Sequence, residues 1–170
     1  MTKRILLAAA AVLLALPATA QTDSHNVIVT IPTLELFSVD ASDVTLAFAA
    51  PTAGGTFADV TGSSTYDVTV NSTTDASAAA GSTGFYKITA YSAAAFGTGI
   101  TVESQLAAAG GGTSAGSIAI PVGSSNAADL ITGISQTSSN GVAISYTAKA
   151  TMAAVPGTYT QPVYYTLVQQ

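Results

Sequence analysis

The chain has 170 residues, with nine acidic side chains against four basic ones, one histidine and no cysteine. Without cysteine it forms no disulfide frame, no thiolate metal site and no lipid-modified cysteine, so stability has to come from burial and backbone hydrogen bonding. A formal charge of −5 leaves too few cations to neutralise phosphates or hold an anionic membrane surface, which argues against a nucleic-acid partner.

The N-terminus reads as an export signal. Lys3 and Arg4 precede the apolar run ILLAAAAVLLAL at 5–16, Pro17 breaks it, and Ala18-Thr19-Ala20 supplies a small-x-small cleavage site. That run is shorter than the roughly 20 residues a spanning helix needs, and no later run approaches that length. The expected division is a signal peptide over 1–20 and one mature domain over 21–170, with no membrane span in the mature chain. Only Lys87 and Lys149 then face nine acids, a mature charge of 2 − 9 = −7.

Alternation with period two, the mark of half-buried strands, dominates the rest. From Asn26 to Ile31 (NVIVTI), Val27, Val29 and Ile31 fall on one side, and Pro32 ends the segment or places it at an edge. An N-terminal strand ordinarily pairs within its own domain; the alternative is addition to the edge of a neighbouring subunit. Next come Leu34, Leu36 and Ser38; then Val44, Leu46 and Phe48; then Tyr66, Val68 and Val70. Tyr86, Ile88 and Ala90 follow, with Ile100 and Val102, then a short strand at Ile118 and Ile120 closed by Pro121. Val142, Ile144, Tyr146 and Ala148 alternate with polar or small residues, and a last strand runs from Tyr159 to Val168.

Breaks fall at Pro51 with Gly54-Gly55, at Gly62-Ser63-Ser64, over 76–84, at Gly123-Ser124-Ser125 and at Pro156-Gly157. Gly110-Gly111-Gly112 lacks the lysine of a phosphate loop and reads as a flexible connection. Asn140-Gly141 is the sharpest turn signal, predicting a type I′ hairpin between a strand over 130–136 and one starting at Val142. Short alanine runs at 76–80, 93–95 and 107–109 are read as loops, with one short helical turn allowed between Asn126 and Leu130. About nine short strands at this spacing predict an all-β domain, a single antiparallel β-sandwich of Ig-like or Greek-key type.

No catalytic constellation emerges. His25 is the only histidine and sits on a polar segment before the first strand, so it is read as exposed and inactive. No G-x-S-x-G elbow occurs among the serines. Glu35 and Glu103, the only glutamates, fall in strand-like segments and are read as solvent-facing rather than as a glycosidase pair. Asp40 and Asp43 are the best-placed carboxylates for calcium, but they lack the D-x-[DN]-x-[DN]-G pattern, and an Asp-containing turn needs no metal. Asn71-Ser72-Thr73 matches a glycosylation sequon. Of the adjacent Tyr164 and Tyr165, one should face the core and the other solvent. No catalytic residue, cofactor or metal ligand is therefore assigned.

The closing segment VPGTYTQPVYYTL (155–167), the strand GVAISYTA (141–148) and NVIVTI after the signal resemble parts of bacterial exported pilin-like and spore-coat-U-like domains. The coat-U branch commonly carries cysteines, which this chain lacks. The resemblance implies an Ig-like sandwich in a structural, adhesive or surface-assembly role, outside the cytoplasm, and no catalytic residue. Self-association, or contact with other surface proteins, would run through edge strands. The second expectation is a module binding carbohydrate or another surface polymer, which requires an exposed aromatic platform.

Overall fold

The computed structural model describes residues 26–32, 34–71 and 86–170. The signal-peptide reading, His25, the second and third residues of the sequon and the 76–84 loop all lie outside these residues. The chain divides into two units, Met1–Ile31 and Pro32–Gln170.

In the first unit, residues 26–31 form no strand, and Val27, Ile28, Val29 and Ile31 are all exposed, Ile28 at 88%. The expectation that this stretch is the domain's own first strand is therefore corrected. Alternation satisfies the side-chain requirement for a strand, but a strand also needs a ladder partner, and no ladder among the described residues includes 26–31.

The second unit holds nine strands among the described residues: β1 (Glu35–Val39), β2 (Val60–Val70), β3 (Tyr86–Ser92), β4 (Ile100–Leu106), β5 (Thr113–Ser114), β6 (Ile118–Ala119), β7 (Ala128–Ile134), β8 (Thr137–Ala150) and β9 (Val163–Gln169). They build two antiparallel sheets, ordered β1-β2-β8-β4-β6 and β5-β7-β3-β9. The fold is all-β and sandwich-like, as the alternation predicts. From β2 onward every connection changes sheet, so β1 and β2 are the only sequential neighbours that pair.

Period-two burial explains the two layers. Tyr66, Val68 and Val70 of β2, Leu106 of β4, and Ile144 and Ala148 of β8 point inward from the first sheet. Tyr86, Ile88 and Ala90 of β3, with Leu130, Ile131 and Ile134 of β7, meet them from the second. Each fully buried aliphatic side chain contributes on the order of 1.5–3 kcal/mol.

Two local readings are overturned. Asn140-Gly141 makes no hairpin: it lies inside the 14-residue β8. Tyr66 pairs with Val142 and Val68 with Ser139, so Asp67 alone faces two residues, and Gly141 at φ 62° takes up the extra one as a β-bulge. Asp67 Oδ1 accepts from Gly141 N at 2.7 Å and closes the bulge. Gly62-Ser63-Ser64 is no turn either but the middle of β2. A Cβ on Gly62 would stand 2.7 Å from Val44 Cγ1 and 2.9 Å from Leu46 Cδ2, so glycine there lets segment 44–48 lie on the strand. That segment keeps its predicted alternation, with Val44, Leu46 and Phe48 half-buried, but it joins no ladder.

Smaller differences follow the same lines. The last strand begins at Val163 rather than Tyr159, because Pro162 supplies no donor. Residues 124–126 form a 3-10 turn, and Ala128 to Leu130 are already strand. The triple-glycine connection is tied down: Gly110 O accepts from Ser135 N at 3.0 Å and from Ser135 Oγ at 2.7 Å.

Candidate functional site

The carboxylates singled out by sequence are committed and far apart. Glu35 Oε1 accepts from the hydroxyl of buried Tyr86 at 2.7 Å, which ties β1 to the opposite sheet. Glu103 Oε1 lies 2.6 Å from Lys149 Nζ, and Oε2 accepts from Ser117 Oγ at 2.9 Å. The Lys149 ammonium, then the Ser117 hydroxyl, hold the Glu103 carboxyl below its usual range, and Glu103 in turn raises Lys149. Glu35 is in register with Val70 and hence Thr137, while Glu103 pairs with Thr147. Ten residues of β8 separate those rows, on the order of 30 Å. Two carboxylates must stand within about 10 Å to work on one glycosidic bond.

Asp40 closes a local turn. Its Oδ1 accepts from Ser42 N at 2.9 Å, and that bond, with one to the Ser42 side chain, lowers its carboxyl. Among the described residues no group of three His, Cys, Asp or Glu side chains comes together that could hold a metal.

Asn71 serves the backbone. Its Oδ1 accepts from Leu34 N at 2.5 Å, its Nδ2 donates to Pro32 O at 2.8 Å, and its main-chain carbonyl accepts from Gln136 Nε2 at 2.9 Å. The amide nitrogen that a glycan would modify is thus part of the clamp on the start of β1. Sequence reasoning noticed this asparagine as a sequon and missed its structural task, which only the approach of Pro32 and Leu34 reveals.

The tyrosine pair divides as its strand position requires. Tyr165 points inward and donates to the Tyr146 hydroxyl at 2.9 Å, which leaves Ser104 Oγ, 3.0 Å away, to donate to Tyr165. Tyr164 points outward, 46% exposed, and stacks on Tyr91 with ring centroids 5.1 Å apart.

What remains open is backbone. Four strands end the two sheets: β1 and β6 in one, β5 and β9 in the other. β5 and β6 have two residues each, whereas β1 has five and β9 seven. β9 carries no charge and no proline, and its inward side chains Val163, Tyr165 and Leu167 are half-buried where those of β3 are buried. A strand with these properties is the kind natural proteins otherwise shield with lysine, proline or a bulge. Residues 26–31 have the complementary character: uncharged, alternating and in no strand among the described residues. Among the described residues, 26–31 thus join no strand, and β9 is a seven-residue strand at the end of its sheet. Among the described residues, no helix is long and apolar enough to cross a membrane. No family model, curated protein or solved structure matches the chain.

Proposed function

We propose that this is an exported, non-catalytic structural protein that assembles on or outside the cell surface by strand addition. Residues 26–31 of one subunit pair with the free edge of β9 in the next. Supporting this reading above all is the state of residues 26–31, which carry four large apolar side chains, all at least 76% exposed. An alternating segment held in water gains free energy by adding to an edge, where main-chain bonds supply affinity and alternate side chains enter the partner's apolar margin. Length and charge favour β9 over β1, whose five residues include Glu35. The Lys-Arg start, the apolar run and the Ala-Thr-Ala site support export, with Gln21 as the first mature residue.

Sedimentation velocity of the mature protein with and without residues 21–31 tests the assembly. The longer form should sediment as oligomers that a NVIVTI peptide dissociates. The shorter form should be a folded monomer. Identical monomers in both cases would remove assembly through this segment. Mass spectrometry of the exported product should find Gln21 at its N-terminus.

A further inference from the structure

The outer face of the β5-β7-β3-β9 sheet carries an aromatic feature that neither the core nor strand addition uses. Tyr91 of β3 and Tyr164 of β9 are register partners, stacked at 5.1 Å with 21° between their planes. β9 ends its sheet, so among the described residues no strand of the same subunit lies beyond Tyr164. The next outward row pairs Thr89, which is buried, with Thr166, which is exposed. Asp129 of β7 lies in this same row, opposite Thr89, and Lys87 reaches back to it from one row further, with Nζ at 3.0 Å from Oδ1 and 3.1 Å from Oδ2. From Tyr91 to the Thr89–Asp129 row is two residues of strand, about 7 Å. The face thus sets a rigid aromatic ledge beside the exposed Thr166 and, across the same row, a carboxylate with lone pairs to spare.

We propose that this face binds a neutral polysaccharide, with one sugar ring against the Tyr91–Tyr164 ledge and the next lying over the Thr166–Thr89–Asp129 row. Charge selects that class of partner. The protein carries net negative charge, which repels an anionic polymer, whereas the only two charged groups in these rows cancel each other. A neutral chain of hydroxyls with apolar ring faces matches a tyrosine ledge flanked by threonine and carboxylate oxygens. Tyrosine offers that contact at low entropic cost, with two side-chain torsions already held by the stack. The site occupies a face of the sheet, while strand addition uses the β9 backbone edge, so either can fail without the other.

Affinity electrophoresis of the full chain in gels containing xylan, a mixed-linkage β-glucan or soluble starch, with alginate as the anionic control, tests the proposal. Retardation is expected in at least one neutral gel. Tyr91→Ala and Tyr164→Ala should each weaken it about tenfold, as for the central aromatic of an interface, while Tyr164→Phe keeps it. Ser63→Ala, on the outer face of the other sheet, should change nothing. No retardation in any neutral gel, retardation in alginate alone, or retardation that survives both alanine substitutions would overturn it. In the unsubstituted protein, titration with a soluble oligosaccharide of the retarding polymer should shift the ring resonances of Tyr91 and Tyr164. Shifts confined to other tyrosines would likewise overturn it.

Discussion

Tyrosine hydroxyls do much of the polar work in this interior. Tyr165 joins the sheets by donating to Tyr146 of β8 while accepting from Ser104 of β4, and Ser104 is fully buried. Tyr165→Phe removes that acceptor and leaves a serine hydroxyl unsatisfied away from water. The expected cost is about 1–3 kcal/mol, read as a lower urea midpoint with an unchanged slope. Adding Ser104→Ala to it should cost less than the sum of the single changes, because both act on one bond. Equal, additive losses would show that the hydroxyls do not interact.

At the scale of elements, Asn71 pins the start of β1 through Leu34 N and Pro32 O. Asn71→Ala should speed amide exchange through β1 while leaving the β2–β8 ladder protected, since that ladder rests on its own ten register pairs. Uniform acceleration across both sheets would mean that Asn71 supports the whole fold. The inward positions of β2, β3, β4 and β8 were legible in the sequence because period-two alternation is local. Bulge and turn were not: an Asn-Gly step with positive φ at glycine suits either, and only the partner strand decides. At 140–141 the partner is Asp67 of β2, across 73 residues of chain from Asn140, and its carboxylate bonds Gly141 N. Gly62 misled for a related reason. Its missing side chain makes room for Val44 and Leu46, a contact no window of sequence around 62 contains.

For the whole molecule, burial makes alkaline pH the destabilising direction for the tyrosines. Desolvation pushes Tyr66 up to about 12, and it raises Tyr146 and Tyr165 as well. A tyrosine in the unfolded chain ionises near 10, so above that pH the unfolded state sheds protons first. Their contribution is therefore complete below pH 10 and is lost as pH rises towards 12. Thermal midpoints should fall across that window, with phenolate absorbance appearing together with unfolding, and Tyr66→Phe should soften the fall. Phenolate absorbance that rises while the fold stays intact would show that these hydroxyls are open to water.

The sequence by itself determined the class of structure: alternating apolar residues with glycine and proline breaks make strands, and absent cysteine leaves burial as the cement. It also placed the two glutamates in separate strands, Glu35 in β1 and Glu103 in β4. Tertiary structure decided which strands are neighbours, why β8 runs straight through an apparent turn, what Asn71 clamps, and that residues 26–31 form no strand. The reason is physical. Side-chain alternation is written every two residues, but a β ladder is a bargain between distant segments, and each edge is defined only once its neighbours have been chosen.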